Sequence, residues 1–374
     1  MRALHLTKFY PPVRGGIESV THELVTGLNA RGIATDVLCA HTGAHTRRET
    51  GPFGESIVRV ASLGRVLSTS LAPMMIPELW RVHDGFDVLH VQLPDPVSSL
   101  AVWLARPKAK LVLHWQSDVI NQTRALKLYE PLQRRILDRA DAIIASSEVY
   151  ANTSPWLAPY RRKVHVIPLG IRDPAPLTEA DVRRVRERYR GRRLVFALGR
   201  MTYYKGFDVL IEAASKLEAD TMVLVGGDGA LLETYRSDVR RRGLEDRIAF
   251  LGPLEETEAV ALFHACDVFC LPSIVRSEAF GIVILEAMAA SRPVVSTDIP
   301  GSGVPWVNVH AVTGLNVPVR DSVALADALR RLLADAALRE RMGRAARERY
   351  LREFTADKMV EATAALYDRL LNNP

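Results

Sequence analysis

Short apolar runs alternate with helical stretches along most of the chain. In the first half, the runs "RALHL", "ATDVLCA" and "KLVLHW" are continuous in their apolar character. Continuous apolar strands are typical of a parallel sheet that is covered by helices on both faces. The pattern therefore predicts βα units and an α/β fold. The strands predicted in this half lie at 2–6, 34–40, 86–92, 109–115, 141–147 and 163–170.

The same pattern starts again with "RRLVFALGR" at 192–200, after a proline-marked turn and a charged helix. Further strands are predicted at 221–227, 247–252, 267–273, 293–298 and 313–318, with helices at 206–218, 230–242, 255–265, 281–290, 322–334, 336–353 and 355–371. A chain of 374 residues has the length of two domains. We expect two Rossmann-like, doubly wound domains that face each other across a cleft.

The domain boundaries follow from the point at which the pattern restarts. We expect an N-terminal domain at 1–170, a linker at 171–190 and a C-terminal domain at 191–354, with the helix at 355–374 completing the first domain. Ligands of doubly wound sheets bind at the carboxyl ends of the strands. The loops that follow strands are therefore the candidate sites.

The amino-acid composition limits the classes of protein to which the chain can belong. Hydrophobic residues make up 48% and charged residues 25% of the chain, which is the balance of a folded protein with a sizeable core. The net charge of +6 comes from arginine clusters, several of which alternate with glutamate as on exposed helices. The chain shows no nucleic-acid-binding motif, so we expect no nucleic-acid partner.

The sequence also indicates in which compartment the protein is located and whether it has the ligands for a metal ion. Cys39, Cys266 and Cys270 are too few and too scattered for a disulfide framework, and no histidine or cysteine pair completes a zinc set. The N-terminus lacks the apolar region of a signal peptide, and no apolar run reaches the length of a spanning helix. We expect a cytoplasmic protein, either free or resting on the inner face of the cytoplasmic membrane.

Two loops carry residues that suit a phosphate. Gly15 and Gly16 in "GGIE" open the first helix, whose free N–H groups favour an anion, although a plain tight turn is an equal alternative. Arg200 and Lys205 in "GRMTYYKG" precede the helix at 206–218. Two cations beside a helix N-terminus can hold a diphosphate, and the alternative is a pair of solvated surface cations.

The segment "SEAFGIVILE" at 277–286 joins two carboxylates to a helix start. Glu278 lies in the loop after a strand, Phe280, Gly281 and Ile282 lead into the predicted helix, and Glu286 lies within it. Carboxylates accept hydrogen bonds from sugar and ribose hydroxyls. Singly, the two glutamates read as a helix cap and a surface residue, but together they favour a sugar and ribose site.

These motifs together resemble the retaining glycosyltransferases of family 4, which have the two-domain GT-B fold. The resemblance rests on the Glu-x7-Glu pair Glu278 and Glu286, on Arg200 and Lys205, on "GGIE", and on "PLGI" at 168–171. It covers essentially the whole chain. The segments "HWQSD", "LYEPL" and "EAFGIVILEAMA" are most similar to bacterial enzymes that build lipopolysaccharide or exopolysaccharide.

The resemblance implies a role for each matching residue around the donor diphosphate and sugar. Arg200 and Lys205 would hold the diphosphate and offset charge on the leaving nucleoside diphosphate. The backbone N–H of Gly16 would approach the same phosphates. Glu278 would bind hydroxyls of the donor sugar beside the N–H groups of Phe280 and Gly281.

The rest of the nucleotide has its own implied contacts. Glu286 would bind the ribose hydroxyls. The base would lie near Gly227 and Gly229 of "VGGDG" and near Leu254 in the loop after Gly252.

The loop "HWQSD" departs from the family pattern. Many relatives have a histidine directly before "SD", where this chain has Gln116, and the histidine here is His114. Residues i and i+2 of a strand share a face, so His114 either points toward the cleft or is buried with a satisfied hydrogen bond. Gln116 and Asp118 are candidates of equal rank for a catalytic role.

The sequence also bears on the mechanism. No two aspartates are separated by a single residue, so the Asp-x-Asp motif that holds a metal in many transferases is absent. Arg200 and Lys205 are expected to take the place of the metal, and no cofactor is expected. No second carboxylate is placed as a nucleophile, which favours front-face retention, with the leaving phosphate taking the proton of the acceptor.

The expected partners are a nucleotide-sugar donor and a glycan or polyprenyl-linked saccharide acceptor. The resemblance favours GDP-mannose or a GDP-deoxyhexose, and a UDP-sugar remains open. The segment 124–139 places Leu126, Leu128, Leu132 and Ile136 near arginines on a helix, which suits an anionic membrane or, equally, a core face. The alternatives to a transferase are a GT-B sugar-nucleotide epimerase and a non-catalytic nucleotide-sugar-binding protein.

Overall fold

The chain forms two compact α/β units, each with its own sheet. The computed structural model describes residues 1–13, 15–66, 69–119, 123–174 and 178–372. Unit 1 comprises Met1–Arg172 and Thr355–Pro374, and unit 2 comprises Asp173–Phe354. The α/β fold with two doubly wound sheets, predicted from the hydrophobic pattern, is confirmed.

Unit 1 is built on an eight-stranded sheet in the order β10-β9-β8-β7-β1-β2-β4-β3. Its strands are β1 Arg2–Thr7, β2 Ala34–Ala40, β3 Arg47–Thr50, β4 Ser56–Val60, β5 Arg65–Val66, β6 Thr69–Ser70, β7 Val88–Leu93, β8 Lys110–Trp115, β9 Ala142–Ala145 and β10 Val164–Val166, with β5 and β6 forming a separate ribbon. Its first helices are α1 Gly16–Ala30, α2 Met75–Val82, α3 Pro96–Ala105, α4 Thr123–Arg139 and α5 Glu148–Thr153.

Burial explains why these segments form the strands that they do. The central strands β1, β7 and β8 are buried along almost their whole length, as a parallel strand covered on both faces must be. Strand β3, whose four residues are all exposed, pairs antiparallel with β4 at the sheet edge. Helix α3 begins at Pro96 because the Asp95 carboxylate accepts a hydrogen bond from the Val97 N–H.

Unit 2 has a six-stranded parallel sheet in the order β13-β12-β11-β14-β15-β16. Its strands are β11 Arg193–Leu198, β12 Thr221–Gly226, β13 Ile248–Gly252, β14 Val268–Leu271, β15 Val294–Asp298 and β16 Gly314–Pro318. Its helices are α6 Glu179–Arg188, α7 Phe207–Ala214, α8 Leu232–Arg241, α9 Glu256–Ala265, α10 Ile282–Ala289, α11 Val304–Val307, α12 Ser322–Ala334 and α13 Ala336–Glu353. The strand order reverses between β11 and β14, so the loops after these two strands leave the sheet at a topological switch point.

The last helix, α14 Ala356–Asn372, belongs to unit 1. It packs on α1, where Gly27 lies against Val360 so closely that a Cβ at Gly27 would come within 2.5 Å of it. Tyr367 of α14 is fully buried beneath the sheet strands that carry His5 and His90. The chain therefore leaves unit 1 once and returns to it at its end.

Candidate functional site

A buried ion pair joins the two loops at the switch point of unit 2. Lys205 closes a short 3₁₀ turn after β11, and Glu278 lies in the loop after β14. The Lys205 Nζ donates a hydrogen bond of 2.5 Å to Glu278 Oε2, and both residues are only 9% exposed. The two loops are also joined through their backbones, because the Ile274 N–H donates to the Tyr204 carbonyl at 2.8 Å.

The pair keeps Lys205 charged. Burial alone lowers the pKa of Lys205, but the nearby negative charge of Glu278 and the hydrogen bond to it outweigh burial, so the pKa of Lys205 is raised. A cation of fixed position at this end of the sheet can offset negative charge on a phosphate.

Arg200 extends the same cationic surface toward solvent. Its side chain is exposed, and its guanidinium donates to the Tyr204 hydroxyl at 3.2 Å. The Lys205 ammonium lies over the ring of Tyr204 at 5.6 Å from its centroid. Tyr204 therefore holds the two cations on one side of the loop, although Arg200 itself forms no ion pair with Glu278.

Two glycines after β12 allow the loop that they form to lie against the loop after β11. A Cβ on Gly227 would come within 2.1 Å of the Gly199 carbonyl oxygen, and one on Gly229 within 2.8 Å of the Met201 backbone. A Cβ on Gly226 would likewise come within 2.5 Å of the Leu254 side chain. Of the predicted base-binding residues, Gly227 and Gly229 thus lie against the loop that carries Arg200, and Leu254 lies against the end of β12.

Helix α10 begins beside the ion pair. Gly281 is its N-cap residue, with φ 80°, and Ile282 is its first helical residue. The first N–H groups of a helix have no partner within it, so they are available to a ligand. The Phe280 ring points away into the core, where it packs between Trp306 and Phe354 at centroid distances of 6.2 and 5.9 Å.

Glu286 lies on α10 in a different environment from that of Glu278. Its side chain is half-buried and makes no hydrogen bond within the described part of the chain. Burial and, to a lesser extent, the charge of Glu256 raise its pKa to about 7, while Lys205 opposes the rise. An unpaired carboxylate of this kind can accept hydrogen bonds from a ligand diol.

In unit 1, Gly15 and Gly16 stand at the start of α1 as the sequence indicates. Gly15 is the N-cap residue, with extended backbone, and Gly16 is exposed. The Glu18 carboxylate folds back over this turn, and its Oε2 would lie 2.2 Å from a Cβ on Gly15. An anion that binds at this helix start must therefore displace the Glu18 side chain.

His114 is fully buried in a cluster formed by His5, His90, His114 and Tyr367, hereafter the histidine cluster. Its Nδ1 lies 3.2 Å from His90 Nε2, and His90 Nδ1 lies 2.5 Å from the Tyr367 hydroxyl, which also contacts His5 Nε2 at 3.1 Å. Burial lowers the pKa of His114 to about 3. Of the two placements that the sequence leaves open for His114, the structure shows the buried one.

Gln116 and Asp118 are also committed to contacts within unit 1. The Gln116 amide donates to Gln92 Oε1 at 2.7 Å. The Asp118 carboxylate accepts from the Trp115 indole N–H at 2.9 Å and from the Ser154 hydroxyl at 2.7 Å. These contacts hold Gln116 and Asp118 in place. Asp118 therefore has a structural role in addition to the catalytic role predicted for it.

Sequence reasoning missed the hydroxyl groups that surround Glu278. Ser273 donates to Glu278 Oε2 at 3.0 Å, and Ser302 donates to the Glu278 backbone carbonyl at 2.5 Å. A serine two residues after the end of a buried strand was the available signal for Ser273. Within the described ranges, no three His, Cys, Asp or Glu side chains are grouped so that they could hold a metal ion.

Comparison with known proteins places the chain in a family. Residues 15–170 match the family described as "Glycosyl transferase 4-like domain", and residues 179–349 match "Glycosyl transferases group 1". The chain is 36% identical to O-antigen chain mannosyltransferase C of Escherichia coli, over all of both proteins. It is 34% identical to D-rhamnosyltransferase WbpZ of Pseudomonas aeruginosa, over 95% of this chain and 93% of the relative.

Solved structures share the fold at low sequence identity. Sucrose-phosphate synthase from Thermosynechococcus elongatus matches all of both chains with a TM-score of 0.83 and 22% identity. Anabaena HepE, solved in complex with UDP and glucose, matches 98% of this chain and 99% of that chain, with a TM-score of 0.74 and 20% identity. The chain therefore belongs to the GT-B glycosyltransferases that combine a glycosyl transferase 4-like domain with a glycosyl transferases group 1 domain.

Proposed function

We propose that the protein moves a hexose from a nucleotide sugar to a glycan or lipid-linked acceptor in the synthesis of a bacterial surface polysaccharide such as O-antigen. The single observation that carries this proposal is the buried Lys205–Glu278 pair at the switch point of unit 2. It brings a cation for the diphosphate next to an acceptor for sugar hydroxyls. The named activities of the two relatives, mannosyl and D-rhamnosyl transfer, support mannose or a deoxyhexose as the transferred sugar, and we propose GDP as the nucleotide of the donor.

The proposed reaction is retaining and needs no metal. The bond between the sugar C1 and the phosphate oxygen breaks, and the acceptor oxygen bonds to C1 on the same face. The acceptor proton passes to the departing phosphate. Lys205 and Arg200 offset the charge that develops on the nucleoside diphosphate, and fixed cations of this kind contribute most when they need not reorganise.

A binding screen followed by a transfer assay tests this proposal. Thermal shift with GDP, UDP, GDP-mannose and UDP-glucose identifies the nucleotide, since a ligand at about 100 times its Kd stabilises by about 2.7 kcal/mol. Transfer of labelled sugar from the bound donor to a lipid extract of bacterial membranes then measures turnover. A protein that binds donor but never transfers or releases sugar would instead be a nucleotide-sugar-binding protein.

The variant Lys205→Ala tests the role of the cation. We expect turnover to fall by about 100-fold or more, the usual loss when a charge-stabilising group is removed. Lys216→Ala is the matched control, because Lys216 pairs with Glu212 on the helix surface of the same unit. Circular dichroism checks that both variants are folded. A near-normal rate in folded Lys205→Ala would overturn this account of leaving-group stabilisation.

We also propose that unit 1 rests on an anionic membrane, where a lipid-linked acceptor would lie. Helices α2, α3 and α4 pack side by side and expose Trp80, Trp103, Leu104 and Leu128 by 69%, 37%, 47% and 87%. The Arg135 guanidinium lies 5.4 Å from the Trp103 ring centroid, so a cation accompanies the apolar groups. Of the two alternatives that the sequence leaves open for α4, Ile136 follows the core one, because it is 1% exposed.

Binding to vesicles tests this surface. Among the described residues, no helix combines the length and the apolar character needed to cross a bilayer. We expect co-sedimentation with vesicles that contain an anionic phospholipid, and a several-fold loss in Leu104→Ser. Leu351→Ser is the matched control, since both leucines are 47% exposed and Leu351 lies on α13 of unit 2. Equal binding by both variants and the wild type would remove this surface from the proposal.

A further inference from the structure

The Glu278 carboxylate is held by one oxygen only. Its Oε2 accepts hydrogen bonds from both Lys205 Nζ, at 2.5 Å, and Ser273 Oγ, at 3.0 Å. No protein donor reaches Oε1 within the described part of the chain. The side chain is therefore oriented by two donors on one side, with the second oxygen left to a ligand.

Ser273 is itself fixed in place. It is 0% exposed and follows β14, and the Thr297 hydroxyl on the neighbouring strand β15 donates to the Ser273 backbone carbonyl. The next loop holds the Glu278 backbone as well, because Ser302 donates to its carbonyl oxygen and the Gly303 N–H donates to Ala279. Glu278 is thus fixed from two adjacent strands of the sheet.

The two donors to Oε2 differ in what else they must do. In the proposed function, Lys205 also serves the diphosphate, and an ammonium group has only three N–H donors to share. Ser273 has no such second task, because its fully buried hydroxyl faces Glu278. It can therefore hold Oε2 while Lys205 shares its N–H donors with the phosphate.

We propose that Ser273 is a positioning residue for recognition of the donor sugar. It fixes the Glu278 carboxylate so that Oε1 accepts a hydrogen bond from a hydroxyl of the sugar, independently of Lys205. This inference rests on the proposed function and adds to it. If Ser273 has this role, loss of its hydroxyl weakens recognition of the sugar and leaves recognition of the nucleoside diphosphate intact.

The experiment compares Ser273→Ala with the wild type in calorimetric titrations with GDP-mannose and with GDP, or with UDP-glucose and UDP if the wild type binds that pair. Ser273→Ala should raise the Kd of the nucleotide sugar about tenfold, the effect of losing one hydrogen bond to a charged group, and change the Kd of the nucleoside diphosphate less than about twofold. Ser296→Ala is the matched control, because Ser296 is equally buried on β15 and bonds to Asn308 and Asn316 instead.

A second variant shows whether Ser273 acts through Glu278. In the Glu278→Gln background, Ser273→Ala should change the Kd of the nucleotide sugar less than about twofold, since residues that act through one contact are not additive. Equal weakening of sugar nucleotide and nucleoside diphosphate, or an equal effect in both backgrounds, would assign Ser273 a merely structural role and overturn the inference. A wild type that binds neither pair overturns the proposed function, and this inference with it.

Discussion

Glu278 and Glu286 show how two carboxylates of one motif come to differ. Glu278 is paired with Lys205 and bonded to Ser273, whereas Glu286 has no bonded partner among the described residues. Burial, helped by the charge of Glu256, therefore outweighs the opposing charge of Lys205 and raises the pKa of Glu286 to about 7. At neutral pH, Glu286 is therefore close to the midpoint between its two protonation states.

We predict that affinity for a nucleotide sugar falls in acid because Glu286 gains a proton. The ionised carboxylate accepts from both hydroxyls of a diol, and the protonated form accepts less well. Between about pH 8 and about pH 6 the Kd of GDP-mannose should rise up to about tenfold, as expected for one proton and a pKa of about 7. Calorimetry at the two pH values measures the change.

The variant Glu286→Gln is the control for this titration. It should bind more weakly than the wild type at about pH 8 and lose the pH dependence. A nucleotide sugar is the right probe, because its diphosphate is a diester without a proton that titrates in this range. A wild-type Kd that is the same at both pH values would show that Glu286 is not bonded to the ligand.

At the scale of elements, the loop after β11 depends on Gly206. Gly206 has φ 66° and precedes α7, and a Cβ there would lie 2.1 Å from the Pro272 carbonyl oxygen. This close approach seats the turn that carries Lys205 against the loop that leads to Ser273. Because the backbones of Gly206 and Pro272 lie this close together, a shift of either one would also shift the Lys205–Glu278 ion pair.

We predict that Gly206→Ala damages both stability and activity. Gly243→Ala isolates the cost of the dihedral angle, because Gly243 has φ 64° and nothing within 4 Å of a Cβ. That control should cost about 1 kcal/mol, or a few degrees in Tm. Gly206→Ala should lower Tm by clearly more and reduce transfer activity as well. Equal Tm shifts in the two variants would contradict a close contact at Pro272.

The sequence predicts elements well where burial is strong and poorly where it is weak. The helix predicted at 336–353 has the bounds of α13, and the predicted strands of unit 2 all appear with shifts of a residue or two. The hydrophobic pattern predicts no element within residues 41–85, yet this range contains β3, β4 and α2. The strand β3 is fully exposed at a sheet edge, so no apolar pattern marks it.

At the scale of the whole molecule, the histidine cluster predicts loss of stability in acid. Burial lowers the pKa of His5 and of His114 to about 3 from the ordinary 6.5, so the folded protein binds fewer protons than the unfolded chain. The stability that these histidines contribute is fully present above about pH 6.5 and is lost as pH falls toward 3. Tm measured from about pH 8 downward should therefore decline.

A pair of variants assigns that decline to the cluster. His114→Asn keeps an acceptor near the position of Nδ1 and should reduce the slope of Tm against pH. His45→Asn removes an exposed histidine from the same unit and should leave the slope unchanged. The cluster is not the cause of the acid response if both variants follow the wild-type curve.

The histidine cluster is an example of contacts that the sequence alone does not predict. Each histidine can be assigned to a strand, but Tyr367, the hydroxyl partner of His5 and His90, lies 277 positions along the chain from His90. No local period links the two, so the sequence leaves His114 open between a buried and a cleft-facing role. The same holds for Ser273 and Glu278, whose contact depends on a loop shape that the residue pattern does not specify.

The return of α14 to unit 1 has a consequence for how the protein is made. Unit 2 is a continuous stretch, Asp173–Phe354, and can complete its sheet as soon as it has been synthesised. Unit 1 is discontinuous, so its strands with His5 and His90 must wait for Tyr367, which is translated after the whole of unit 2. The strands of unit 1 that are synthesised before unit 2 are thus completed after it, and a premature stop between Phe354 and Tyr367 would harm unit 1 rather than unit 2.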